Sequence, residues 1–305
     1  MWEILKSKLS SKHLLRGLAI VVSLVWLAVF SFPDNRLRLV FCDVGQGDAI
    51  LLIKGFSQVL IDGGPNDKVL SCLAKNMPFF DKTIEVVALT HPEADHLTGL
   101  NPVIDKYEVK YFITGPVGNE AAAYSALTEK LKNKNGKRQI KIKNVYAGEK
   151  IRVGEIILES VWPEKEWVTE KLEVGGEKWE MGLQTSPFIL GAKTEHKKLN
   201  DFSLVFLLSY KGLEVLLMGD ADSRIQGEMM RINSLNQVDI LKFPHHGSKT
   251  GIAEEFLAKI KPKEAIISVG RNSYGHPTTE ALDLLKKYGV KVRRTDLEGE
   301  IHYQF

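Results

Sequence analysis

Thr90-His91-Pro92-Glu93-Ala94-Asp95-His96-Leu97-Thr98-Gly99-Leu100 is the stretch whose reading decides the fold. It follows directly on Glu85-Val86-Val87-Ala88-Leu89, an apolar run that reads as a fully buried strand. The cluster therefore sits at the C-terminal end of that strand, where α/β proteins place their sites. His91 and Glu93 are two apart on extended chain and point the same way. Asp95 and His96 fall at the turn into a helix. Two imidazoles and two carboxylates within six residues make a mixed N/O ligand set of the kind that Zn, Mn or Fe accept.

Two further strand ends fit this one. Leu217-Met218-Gly219-Asp220-Ala221-Asp222 closes a strand with an acidic residue just after a glycine. Leu241-Lys242-Phe243-Pro244-His245-His246-Gly247-Ser248 closes the next with adjacent histidines. Neighbours on a strand face opposite sides, so one of that pair can bind metal while the other faces substrate. Asp220 is placed to bridge two ions about 3.5–4 Å apart, the separation used in two-metal hydrolysis.

Outward from these clusters, strands are expected at 37–42, 49–53, 58–61, 109–113, 202–210, 214–218, 238–243, 264–269, 291–293 and 300–303. The stretch 140–161 alternates as two or three short strands. Helices are expected at 67–76, 97–106, 120–131, 224–231, 253–259 and 278–288. The elements alternate through two comparable halves without a linker, which reads as one layered α/β domain with two sheets inside and helices outside. Residues 163–200 lack periodicity and are too long for an ordinary loop, so they read as a lid or an excursion.

Asp62-Gly63-Gly64, HPEADH, GDAD and FPHHGS, in this order, resemble the metallo-β-lactamase superfamily. Asp43-Val44-Gly45-Gln46-Gly47-Asp48, Asn200-Asp201-Phe202-Ser203-Leu204-Val205, the run Ser268–Pro277 (SVGRNSYGHP) and Thr295-Asp296 narrow the likeness. They resemble the extracytoplasmic hydrolase domain of competence DNA-uptake proteins of the ComEC type. The resemblance covers residues 37–305 and implies an αββα sandwich with a metal site at the sheet edges. It implies one or two divalent ions, Zn²⁺ or Mn²⁺. One ion would be held by His91, Glu93 and a histidine from a later loop, with His196 near the expected region. The other would be held by Asp95, His96 and His246, with Asp220 between the two. Catalytic roles fall to His245, Asp95 and His276. His245 is either a proton donor beside the bound phosphate or a support for a ligand, and His276 either reaches the same pocket or fixes a turn. Asp62 orients the HPEADH loop, and Asp48 and Gln46 shape the pocket.

Composition sets the compartment and the partners. The chain of 305 residues is 44% hydrophobic and 26% charged, with net charge +3, which excludes disordered, collagen-like and disulfide-scaffold classes. A uniformly basic nucleic-acid coat is excluded as well. Residues 130–143 nevertheless carry seven cations and no anion: Lys130, Lys132, Lys134, Lys137, Arg138, Lys141 and Lys143. That run is either a solvated face or a phosphate-contacting track through Lys134, Lys137, Arg138 and Lys141. Residues 17–32 are free of charge and follow Lys6, Lys8, Lys12 and Arg16. They read as one N-terminal transmembrane helix over 14–32, with 1–13 cytoplasmic and 36–305 outside. The alternative is a cleaved signal segment and a secreted protein. Cys42 and Cys72, without metal-site spacing, read as buried, inert thiols in preference to the alternative, a disulfide.

The function expected is therefore a membrane-anchored, extracytoplasmic, metal-dependent hydrolase. As phosphodiesterase or nuclease, it would act on DNA in a competence-type uptake system, beside a multi-span channel protein. The alternatives are a hydrolase of another ester, such as a phosphorylcholine ester or a lactone, and a catalytically weak DNA-binding module.

Overall fold

The computed structural model describes residues 11–31, 33–133, 139–173, 192–193, 196–232 and 235–305. Two seven-stranded sheets form its centre. The first runs, edge to edge, Ile301–Gln304, Arg38–Phe41, Ile50–Lys54, Ser57–Ile61, Thr83–Leu89, Glu108–Thr114, Lys141–Asn144. The second runs Lys150–Val153, Ile156–Trp162, Val205–Tyr210, Leu213–Leu217, Ile240–Lys242, Glu264–Ile267, Lys291–Arg294. Each begins with antiparallel pairs and ends with parallel ones, so the two halves repeat one plan. The strand from the chain's C-terminal end crosses back to pair with Arg38–Phe41 and ties the halves together.

Alternation along the strands builds the layers. Leu37, Leu39 and Phe41 point between the sheets, where Leu52, Val59 and Ile61 meet Phe206, Leu208, Val215 and Leu217 of the other half. Val40, Leu51, Ile53 and Leu60 point the other way, under the helices Lys68–Asn76, Leu100–Lys106 and Ala122–Asn133. Leu216, Leu241, Ala265 and Ile267 do the same under Ser223–Ile232, Glu254–Ile260 and Thr279–Lys287. Full burial of each such Val, Leu, Ile or Phe side chain contributes about 1.5–3 kcal/mol. The outcome is helix, sheet, sheet, helix: the αββα sandwich.

The cysteine reading is corrected. Cys42 and Cys72 form a disulfide, with Cα atoms 5.9 Å apart. Cys42 directly follows the strand Arg38–Phe41, and its side chain turns to the helical side, where Lys68–Asn76 lays Cys72 against it. Two positions 30 residues apart become neighbours only through this packing, which residue spacing does not reveal. The segment 163–200 holds the helix Lys165–Glu173, the short strand Ala192–Lys193 and the start of the 3-10 turn His196–Phe202. Residues 174–191 of the expected lid lie outside the described residues. The N-terminal helix covers Ser11–Ser31. Among the described residues, no helix is long and apolar enough to cross a membrane; the side chains of 24 and 27–31 are not among those described.

Candidate metal centre

Corresponding strand ends of the two halves face each other across the top of the sandwich. Asp62 ends Ser57–Ile61, and the loop 90–93 ends Thr83–Leu89. Asp220 follows Leu213–Leu217, and the turn Pro244–Gly247 follows Ile240–Lys242. Ligand atoms of Asp95, His96, Asp220 and His246 lie within 4.8 Å of one another. His96 Nε2 is 3.4 Å from Asp220 Oδ1. His246 Nε2 is 3.3 Å from Asp95 Oδ2 and 3.5 Å from Asp220 Oδ2. The His91 ring lies 4.1 Å from that of His96, and its Nε2 is 3.9 Å from Glu93 Oε2.

What holds the rings fixes their tautomers. His96 Nδ1 donates to Asp62 Oδ2 at 2.8 Å, and His246 Nδ1 donates to the Ser268 carbonyl at 2.8 Å. Thr90 Oγ1 gives its proton to Asp62 Oδ2 and lies 3.2 Å from His91 Nδ1. Each imidazole is thereby gripped at Nδ1, and the Nε2 atoms of His91, His96 and His246 are buried with no hydrogen-bond partner. Buried nitrogens aimed at carboxylates and braced from behind are the arrangement that metal-ligating histidines show. The donor set fits a divalent cation, with two nitrogens and two oxygens in the tightest group.

Two glycines allow the close approach. Gly47 has φ +145°, and a Cβ there would stand 2.2 Å from the Asp95 carbonyl, to which Asp48 N donates. Gly219, at φ +51°, would meet Ser203 Oγ at 2.4 Å. His245 and His246 both adopt left-handed φ, at 51° and 52°. Their divergence thus comes from a strained turn and not from strand alternation.

The electrostatics are those of a charge cluster out of water. Burial would push His96 down, but the Asp220 and Asp62 carboxylates prevail and hold it well above the ordinary histidine value. Burial would push Asp220 up, and His246, His96 and Lys242 overcome it and hold the carboxyl well below its usual range. Burial likewise opposes the charged forms of Asp95 and His246, which still stabilise each other: Asp95 is lowered, and His246 is raised chiefly by Asp220. His276 is pushed down by burial and by His245 and His246.

Sequence reasoning missed Lys242. Fully buried beneath the cluster, it pairs with Asp48, donates to the Gly219 carbonyl at 2.9 Å and lies 3.7 Å from Asp220 Oδ1. The signal was a lysine inside the apolar strand Ile240–Lys242. Ser203, also unassigned, accepts from Asp220 N at 3.0 Å and lies 3.4 Å from His91 Nδ1.

A cleft of about 830 Å³ opens onto the cluster. Glu93, Asp95, Asp220, His245, His246, His276 and Gln46 line it, with Lys68, Arg271 and Tyr274 at its exposed rim. The rings of His245 and His276 are 5.6 Å apart. Asn272 staples the His276 loop, donating to the His276 carbonyl and accepting from its N–H. Asp62 sits behind the ring of His96 and touches the HPEADH loop at Thr90 N, 2.8 Å away. Lys134, Lys137, Arg138 and the His196 side chain lie outside the described residues. Lys141 stands over the Tyr111 ring on an edge strand, and Lys130 and Lys143 pair with Asp105 and Glu149. Among the described residues, Lys130, Lys141 and Lys143 do not line the cleft, and its cations are Lys68 and Arg271.

Comparison with known proteins agrees with this geometry. The family model described as metallo-beta-lactamase superfamily matches residues 42–271. The chain is 25% identical to ComE operon protein 3 of Bacillus subtilis, over 92% of this chain and 35% of that protein. It is 27% identical to Competence protein ComA of Neisseria gonorrhoeae, over 89% and 33%. It thus spans about a third of the length of these relatives. The metallo-beta-lactamase fold protein YhfI from Bacillus subtilis superposes with TM-score 0.52 at 12% identity, over 88% of this chain and all of the other. With its sandwich, its strand-end histidines and carboxylates, and a family match over most of its length, the chain belongs to the metallo-beta-lactamase superfamily.

Proposed function

We propose that this chain is a metal-dependent phosphodiesterase that cuts DNA outside the cytoplasmic membrane, beside a multi-span channel protein of a competence-type uptake system. The observation that carries the reading is the set of partnerless Nε2 atoms facing Asp95 and Asp220 in a cleft rimmed by Lys68 and Arg271. Asp95, His96, Asp220 and His246 would hold one divalent ion, and His91 and Glu93 offer part of a second site. Such a cation supplies Lewis-acid activation of water and neutralises charge on a phosphoryl group. Asp62 and Ser268 keep the imidazoles aimed, and Lys242 offsets the buried carboxylates. Lys68 and Arg271 take the flanking phosphates. His245, at the cleft wall, would give a ring proton to the leaving oxygen, with His276 beside it. With carboxylates supplying half of the tightest donor set, Mn²⁺ is favoured alongside Zn²⁺.

Two features support this compartment. The Cys42–Cys72 bridge suits an oxidising exterior. The helix Ser11–Ser31 exposes Leu14, Leu15, Leu18, Ile20, Val21, Val25 and Trp26, which supports a membrane anchor over 14–32 with the basic flank inside. The relatives' names and the cationic rim support DNA as the substrate. A second reading, a catalytically weak DNA-binding module, draws on the His91–Glu93 site, which shows only these two candidate ligands among the described residues.

A cleavage assay on single-stranded DNA, with and without Mn²⁺, separates the two. Wild type should cut, and the Asp95→Ala/His96→Ala variant should not. If neither cuts while both bind DNA, the enzyme reading is wrong and the binding module stands.

A further inference from the structure

We propose that Phe56, Phe79 and Phe80 seat the domain on the lipid bilayer and hold the metal cleft away from it. The three side chains are 48%, 76% and 49% exposed. Phe80 packs on both others, with ring centroids 6.3 Å from Phe56 and 5.3 Å from Phe79. They come from two separate loops, the turn after Ile50–Lys54 and the segment before Thr83–Leu89. Gln58 Nε2 donates to Asp81 Oδ2 at 3.1 Å and ties these loops together, so the patch is a fixed surface. Clustered exposed aromatics of this kind mark an interaction site.

Position identifies the occupant. The patch adjoins the place where the apolar N-terminal helix meets the domain. Gly55 N donates to the Asp34 carbonyl at 3.3 Å, and Lys54 Nζ donates to the Asn35 carbonyl at 2.6 Å. Asp34 lies three residues beyond the helix Ser11–Ser31. Two apolar features thus share one end of the domain, as they must if both meet the same bilayer. The metal loops stand at the other end. Phe80 precedes Thr83–Leu89 and His91 follows it, and seven residues of strand span roughly 20 Å. A domain resting on its phenylalanines therefore opens its cleft away from the lipid.

This inference rests on the membrane-anchor reading, and the experiment separates the two. The full chain is reconstituted in phosphatidylcholine–phosphatidylglycerol vesicles. Because Cys42 and Cys72 are bonded to each other, an introduced cysteine alone takes an environment-sensitive dye. With Lys82→Cys, two residues past Phe80, the dye should shift to the blue and lose most of its emission to headgroup-spin-labelled lipid. With Lys249→Cys, at the cleft end, it should do neither. The Phe56→Ser/Phe79→Ser/Phe80→Ser background should abolish the quenching at position 82 and leave thermal unfolding unchanged. A water-like dye at 82 on a chain that resists carbonate extraction overturns the proposal and spares the anchor. Release of the chain by carbonate overturns the anchor reading, and the proposal with it. A blue shift without lipid quenching assigns the patch to a protein surface and overturns the lipid assignment.

Discussion

Lys242 offers the sharpest test of how the centre is built. Its ammonium is buried against Asp48 and within 3.7 Å of Asp220, and it donates to the Gly219 carbonyl. In Lys242→Met, the aliphatic volume is nearly kept and the charge is lost. Among the described residues, buried Asp48 then keeps longer contacts, 3.6 Å to His246 Nδ1 and 3.9 Å to His96 Nδ1. Breaking one side of a buried pair costs about 3–5 kcal/mol, because the other charge stays buried without its nearest partner. Replacing Asp48 as well, in Lys242→Met/Asp48→Asn, removes that charge and should restore at least about 1–2 kcal/mol, the penalty of the unpaired group. Urea unfolding of the two variants and of Asp48→Asn, in chelator, completes the double-mutant cycle. A Lys242→Met variant within about 0.5 kcal/mol of wild type, the range of ordinary surface changes, refutes the reasoning. So does a double variant no more stable than the single one.

Three further outcomes follow from local structure. The Cys42→Ser/Cys72→Ser variant should lose about 3–4 kcal/mol, the chain-entropy cost of opening a 30-residue loop, measured by thermal or urea unfolding. Tyr124 is pushed up to about 12 by burial. Its neutral form is therefore favoured in the fold, and stability is full below the unfolded tyrosine value near 10 and falls above it. Between pH 8 and 11 the loss from this group is about 1.4 kcal/mol, and Tyr124→Phe should make the alkaline decline shallower by that amount. Asp62→Asn leaves the metal-facing atoms in place and loosens the ring of His96; metal affinity by calorimetry should fall about 10–100-fold, and an unchanged affinity contradicts the bracing role.

The layered fold was legible because period-two strands and amphipathic helices alternate through two halves, and apolar alternation alone assigns Leu39 and Val40 to opposite faces. The cluster Asp95, His96, Asp220 and His246 was legible for a related reason. All four fall in connections that leave the C-terminal ends of strands, Asp95 and His96 in the short helix Ala94–Leu97, and the sheets bring such connections to one edge. What failed was what depends on packing between distant segments. The disulfide needs the helix Lys68–Asn76 laid against Cys42. Lys242 acquires its partner only when the loop carrying Gly47 and Asp48 packs against the Asp95 carbonyl. Lys68 and Arg271 reach the cleft from positions that the charge pattern did not single out, because surface cations are sorted by loop placement and not by local density. The left-handed turn at His245 and His246 is a backbone feature that the side-chain pattern does not encode.

Anomalous scattering from crystals of the full chain grown with Mn²⁺ tests the central claim most directly. A peak is expected among Asp95, His96, Asp220 and His246, absent in the Asp220→Ala/His246→Ala variant. A chain that crystallises in the same fold, with manganese bound elsewhere or nowhere, contradicts the account.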